Sequence, residues 1–241
     1  MSNKAPKTYV LVHGAYHGGW CWQFVADILR AQGHRVFTPT SPGLGERAEL
    51  LSSYPDLDAF VTDAVDLFRR ENLSDVILVG HSFGGAVVSG VVDRIPERIR
   101  HLVFLDAVIL QPGAAVFDHA PSEALSFYRS LLPEFGGNGA VPVPPIDFFG
   151  VKEEKQIEFL LRHLTPQPIK TFFSKQQLNH PLGAGCKVTC IHCTEPYFRQ
   201  GEAYRTFAKS REDWQHIDLA TGHDAMISAP EALTELLLAI D

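Results

Sequence analysis

A doubly wound, mostly parallel α/β sheet interrupted by a helical insertion is the fold class this 241-residue sequence predicts. Three observations carry that prediction. Short apolar runs alternate along the chain with amphipathic stretches of helical length. The runs are apolar at nearly every position, as strands are when helices cover both faces of their sheet. The alternation breaks once, from about residue 108 to residue 185, and then resumes. The expected division is a core of residues 1–107 and 186–241, with residues 108–185 inserted as a lid at the carboxyl ends of the strands.

The first run, "TYVLVH", passes directly into the glycine turn of "GAYHGGW". "WQFVADILRAQG" then sets Phe24, Ile28 and Leu29 on one helical face, with Gly33 as the stop. "HRVFTP" is the next strand. "DLDAFVTDAVDLFRREN" repeats Phe60, Ala64, Leu67 and Phe68 at helical spacing behind aspartates that suit a helix start. "DVILVG" leads into "SFGGAVVSGVVDRI", strand then helix, and "HLVFLDA" is the strand that follows.

In the insertion, "SEALSFYRSLL" and "EEKQIEFLLRHL" read as helices beside the breakers "FGGNGA" and "VPVPP". Its phenylalanines (Phe117, Phe127, Phe135, Phe148, Phe149, Phe172, Phe173) are expected mostly to pack the insertion's own small core. "KVTCIHC" and "WQHIDLA" return to strands. "SAPEALTELLLAI" closes the chain as a helix, with Ser228 and Glu231 at capping-box spacing and Pro230 in the first turn.

Composition narrows the function classes. A chain that is 45% hydrophobic and 20% charged can bury one sizeable core, and a net charge of −7 without a basic cluster argues against nucleic acid as a partner. No apolar stretch approaches the ~20 residues of a membrane span. The start, "MSNKAPKTYVLVHGA", has too short an apolar run for a signal peptide and reads as the first strand, so a cytoplasmic protein is expected. Cys190 and Cys193 of "CIHC" are three apart on a strand and face opposite ways, and no second ligand pair is evident. No metal and no cofactor is expected, and the cysteines are taken as core thiols.

The chemistry centres on "VGHSFGG", residues 79–85. Glycines around Ser82 permit a sharp strand-to-helix turn with the hydroxyl exposed at its apex. An unassisted hydroxyl is a poor nucleophile and needs a base. His223, in the glycine turn "LATGHDAM" after the last strand, is the candidate, while His81 is taken as packing and His163 and His180 as solvated. The base needs a carboxylate to orient it. Glu195, after the "KVTCIHC" strand, is the expected acid, with Asp106 at the end of "HLVFLDA" as its rival and Asp224 read as a turn or cap residue. After the first strand, His13-Gly14-Ala15 stands where an oxyanion loop belongs, so the amides of Ala15 and Phe83 are the expected donors, with Gly14 allowing close approach.

The layout of "VLVHGAYHGGWCW", "GHRVFTPTSPGLGER", "VGHSFGGAVV" and "ATGHDAM" resembles the α/β-hydrolase superfamily over nearly the whole chain. More narrowly it resembles the branch of plant methylesterases, plant hydroxynitrile lyases and bacterial esterases acting on pyrethroids and carbamates. The resemblance implies a nucleophile at Ser82, a base at His223, an acid at the position of Glu195 and a lid at residues 108–185. That acid is more often aspartate, so glutamate here is a departure that keeps Asp106 in play.

The expected activity is therefore hydrolysis of a small, largely apolar carboxylic ester through an acyl-enzyme, with carbamate or amide hydrolysis on the same residues as an alternative. A hydroxynitrile lyase is disfavoured, because Gly14 stands where the plant lyases carry Thr or Asn, and Asp224 where some carry Lys. A non-catalytic binding protein has no need of all three groups. The expected partner is a small-molecule ester, with a homodimer left open.

Overall fold

The computed structural model describes residues 5–241, so the start of the chain through Lys4 lies outside the described residues. Six strands form one sheet: β1 (Thr8–Val12), β2 (Arg35–Phe37), β3 (Val76–His81), β4 (Ile99–Leu105) and, after the insertion, β7 (Lys187–Cys193) and β8 (Gln215–Leu219). The two remaining strands, β5 (Ala140–Val141) and β6 (Gln167–Pro168), pair antiparallel within the insertion. The main sheet runs β2-β1-β3-β4-β7-β8, and every pairing in it is parallel. β3 is buried along its whole length, as its unbroken apolar run requires.

Helices α1 (Gln23–Ala31), α2 (Leu57–Arg70) and α3 (Gly84–Arg94) make the first three crossovers. The step from β1 to β2 runs one way along the sheet and that from β2 to β3 the other. Right-handed connections therefore put α1 on one face and α2 and α3 on the opposite one. The packing agrees, since α2 lies against α3 while α1 lies against the C-terminal helix. The buried face of α1 is Val25, Ala26 and Leu29. Phe24, expected inside, turns outward and meets Phe159 of the insertion at a ring-centroid distance of 5.5 Å. Asp56 caps α2 by accepting from the Ala59 amide at 2.9 Å.

The insertion carries α4 (Ser122–Ser130), α5 (Glu154–His163) and α6 (Lys170–Phe173), the first two where the periodicity placed them. Beyond β7 come α7 (Glu202–Lys209), α8 (Ala225–Ser228) and α9 (Pro230–Ala239). Pro230 does open α9, but the expected capping box does not form, because Ser228 ends α8 and Ala229 is the cap. The Ser228 hydroxyl instead bonds the Asp224 carbonyl at 3.1 Å and the Thr221 hydroxyl at 2.7 Å.

The strand order reverses between β1 and β3, because β2 extends the sheet to one side of β1 and all later strands to the other. A crevice opens outside the carboxyl ends of the strands at such a point. The residues immediately following β1 and β3 are His13-Gly14-Ala15 and Ser82.

Candidate active site

Strand register brings the reactive groups together. His81 ends β3 opposite Leu105 at the end of β4, so Ser82 and Asp106 leave adjacent strands side by side. Each turns sharply there, with φ of 50° at Ser82 and 42° at Asp106. Non-glycine residues in this left-handed region cost on the order of 1–3 kcal/mol and persist where the surroundings hold them. Here the Ser82 amide donates to the Leu105 carbonyl at 3.1 Å, and the Ser82 carbonyl accepts from Gly85 and Val108. The Asp106 amide donates to the Ile191 carbonyl at 2.8 Å.

Four residues past β8, His223 spans the two. Ser82 Oγ donates to His223 Nε2 at 2.9 Å, and His223 Nδ1 donates to Asp106 Oδ2 at 2.7 Å. The second bond fixes the tautomer that leaves Nε2 free to accept. Asp106 Oδ1 accepts from Arg205 of α7 at 2.7 Å, and both side chains are buried. Burial alone would raise the Asp106 carboxyl, but the hydrogen bonds and charges of His223 and Arg205 outweigh it and hold the group below the usual carboxylate range.

Glu195 does not take part, which corrects the expected choice of acid. Beyond β7 the backbone continues its pairing, with the Thr194 amide on the Leu219 carbonyl and the Glu195 amide on the Thr221 carbonyl. That pairing holds the turn at the outer rim, where Glu195 is exposed. The side of the imidazole it would have to reach is already filled by Asp106. The same turn instead returns Phe198, which stacks on the His223 ring with centroids 3.8 Å apart.

Gly14 packs against Ser82. A Cβ placed there would lie 2.8 Å from the Ser82 Cβ and 3.0 Å from His81 Nδ1, so only glycine fits. The Gly14 carbonyl accepts from His13 Nδ1 at 2.8 Å. His13 must carry its proton on that nitrogen, because Nε2 accepts from the Ser41 amide at 3.0 Å. Burial pushes His13 down to about 4, so the ring is neutral. Ala15 and Phe83 both line the cavity above Ser82.

The remaining histidines sort by environment. His81 is fully buried and donates from Nε2 to the His223 carbonyl at 2.9 Å, bracing the backbone there. His163 bonds the Phe159 carbonyl at the surface, and His180 meets Asp93 with its side chain half exposed. Asp224 stands at the N-cap position of α8, as expected, but its side chain makes no capping bond. Its carboxylate is buried and accepts from His17 Nε2 at 2.9 Å. His81, His223 and Asp224 lie close enough to offer three ligand atoms to one cation. Both nitrogens of His223 are already engaged, by Ser82 and Asp106, so the ring has no lone pair left over for a cation.

A cavity of about 390 Å³ opens over Ser82 and His223. Four of the eight insertion phenylalanines line it (Phe117, Phe148, Phe149, Phe172), together with Tyr128, Phe198 and Tyr204. More of them therefore face the cavity than the composition led one to expect. Phe127 and Phe135 are exposed instead, because α4 and the turn after it lie at the rim. His17, Phe198 and Arg205 had no spacing signal in the sequence. They reach the site from separate elements.

Residues 9–236 match the model of the alpha/beta hydrolase family. The chain belongs to that family. It is 35% identical over 249 residues to a carbendazim hydrolyzing esterase of Nocardioides sp. (strain SG-4G), covering 96% of this chain and 98% of that protein. Methylesterase 1 of Arabidopsis thaliana is 34% identical over 133 residues, 54% of this chain and 49% of its own length. Among solved structures, an extracellular alpha/beta-hydrolase from a Paenibacillus species superposes with a TM-score of 0.81 at 25% identity, covering 97% of this chain and 98% of the other.

Proposed function

We propose that this family member is a serine esterase of small, uncharged, largely apolar carboxylic esters. Ser82 is the nucleophile, His223 the base, Asp106 the acid, and the amides of Ala15 and Phe83 the oxyanion donors. The observation that carries the reading is the continuous Asp106–His223–Ser82 hydrogen-bond chain at the floor of an aromatic cavity.

His223 Nε2 takes the Ser82 proton as Oγ adds to the ester carbonyl, and Asp106 offsets the imidazolium that forms. The imidazolium returns the proton to the departing alkoxide, leaving an acyl-serine and a free alcohol. Water then repeats the sequence, giving the acid and restoring the hydroxyl. Supporting the oxyanion assignment, both residues line the cavity and neither amide donates among the turn and loop backbone bonds of the described residues. Residues 108–185 are the lid, since they supply most of the cavity's aromatic wall. That wall recognises shape and apolar area, and the one ion pair at it, His17 with Asp224, is closed on itself with its side chains 2% and 0% exposed.

The carbendazim hydrolyzing esterase makes carbendazim a specific substrate to test beside simple esters, and carbamate or amide cleavage would use the same residues. A lyase gains nothing from Asp224, whose carboxylate is turned away to His17. The test is a panel of p-nitrophenyl esters, a pyrethroid, carbendazim and mandelonitrile, assayed with and without a serine-directed phosphonate. Ser82→Ala should reduce ester turnover on the order of 10⁶-fold in folded protein. Turnover within tenfold of wild type would overturn the assignment.

A further inference from the structure

Directly behind the site lies a second aspartate–histidine pair that ester hydrolysis as described does not use. The His17 and Asp224 side chains are 2% and 0% exposed, and His17 Nε2 meets Asp224 Oδ2 at 2.9 Å. The other nitrogen, His17 Nδ1, meets the Ala15 carbonyl at 2.7 Å. A carbonyl and a carboxylate are both acceptors only, so His17 satisfies them together by carrying a proton on each nitrogen. Burial opposes the charge on each partner, but their mutual attraction and hydrogen bond prevail, raising His17 and lowering Asp224. The resulting imidazolium stacks on Trp20 at a centroid distance of 5.2 Å, a favourable seat for a cation.

The pair is costly to bury, and it sits where rigidity matters. Ala15 is the residue whose amide is the proposed oxyanion donor, and Asp224 follows His223 directly in sequence. Tyr16, between the clamped carbonyl and His17, has a φ of 69°, a conformation that needs outside support. Its amide is held by Gln167 Oε1 at 3.0 Å. Clamping the Ala15 carbonyl fixes ψ of Ala15, and with it the path of the loop that carries the donor.

Resting on the hydrolase reading, we propose that His17 and Asp224 are positioning residues that lock the oxyanion loop to the loop of the catalytic base. Neither touches the substrate's reacting atoms. The pair acts through the Ala15 backbone. Removing the Asp224 side chain cuts the tie between the two loops and leaves the His17 ring anchored only at Nδ1, whereas an asparagine amide could still donate to Nε2 and keep the clamp.

The test uses the full chain with Asp224→Ala, His17→Gln and the double variant. Two readouts are taken, steady-state hydrolysis of p-nitrophenyl butyrate and the rate of Ser82 labelling by a fluorophosphonate, which needs no knowledge of the natural substrate. Loosening an oxyanion donor costs less than deleting one, which lowers kcat about 10²–10³-fold. Each single variant should therefore lose about 10- to 100-fold in kcat and in labelling rate, with KM within about threefold. The double variant should be no worse than the worse single, because the two residues act as one unit. A folded Asp224→Ala that labels within twofold of wild type overturns the proposal, as does a rise in KM at unchanged kcat. If Asp224→Ala fails to fold, the double variant, which buries no charge, replaces it. Failure of both to fold would make the pair a stability element only and overturn the proposal too. Wild-type protein that neither labels nor turns over esters would instead sink the hydrolase reading, and this inference with it.

Discussion

Asp106→Asn separates the two carboxylates that stand beyond strands near His223. The substitution is nearly isosteric. Its Oδ1 can still accept from Arg205, where the native distance is 2.7 Å. Its Nδ2 amide, however, now faces His223 Nδ1, where a carboxylate accepted at 2.7 Å. Two donors cannot share that space, so the imidazole is driven to the tautomer with its proton on Nε2, opposite the Ser82 hydroxyl. Loss of the acid has cost ~10⁴ in kcat in another triad, or about 5.4 kcal/mol of barrier. Stability falls as well, because the buried Arg205 guanidinium loses its counter-charge and keeps only neutral acceptors such as the Cys193 carbonyl at 2.8 Å. Breaking a buried pair costs about 3 kcal/mol at the low end, a Tm drop of roughly 6–12 °C for a domain of this size. The assay is kcat/KM on a p-nitrophenyl ester beside a thermal melt, with Glu195→Gln made in parallel. Asp106→Asn should lose about 10⁴-fold. Glu195→Gln, at an exposed rim position, should stay within a few-fold of wild type with an unchanged Tm. A folded Asp106→Asn that keeps a tenth of wild-type activity, or a greater loss in Glu195→Gln, refutes the reasoning.

Gly14→Ala inserts a Cβ 2.8 Å from the Ser82 Cβ, so the oxyanion loop must retreat. Turnover should drop about 100-fold or more with little change in KM, and an active Gly14→Ala enzyme would show that the loop is not where the donor acts. His13 and His81 are held neutral by burial, down to about 4 and about 3, whereas in the unfolded chain a histidine takes up its proton near 6.5. Below pH ~6.5 the unfolded state binds more protons, so stability present above that pH is lost as pH falls towards the folded values. The loss should be on the order of 1.4 kcal/mol per pH unit for each group. Urea midpoints measured from pH 7 to pH 5 should therefore fall steadily, and a level series would mean that these rings are not buried neutral.

The parallel sheet and its helices were legible because each rests on local pattern. Runs such as "DVILVG" have no polar face, and the amphipathic stretches between them supply the covering layers. Ser82 and His223 were legible for a related reason. A sharp strand-to-helix turn demands glycines at fixed offsets, and a glycine turn beyond the last strand marks a loop at the same edge. Gly14 was found the same way, and its contact with the Ser82 Cβ supplies the steric reason. By contrast, the acid depended on register. Asp106 and Glu195 both follow strands, but only pairing of His81 with Leu105 puts Asp106 beside Ser82, while backbone bonds to Leu219 and Thr221 hold Glu195 at the rim. Phe24 and the Ser228 box erred because a neighbour outside the local segment competed for them, Phe159 in one case and the Asp224 carbonyl with Thr221 in the other. Arg205 lies 99 residues from Asp106, and Asp224 lies 207 from His17. What this sequence determined by itself was the strands, the turns and the residues whose backbone shape is encoded within a few positions. Which buried charge meets which was decided only in the folded chain, because burial makes partners of groups brought together by strand order, and no local pattern records that meeting.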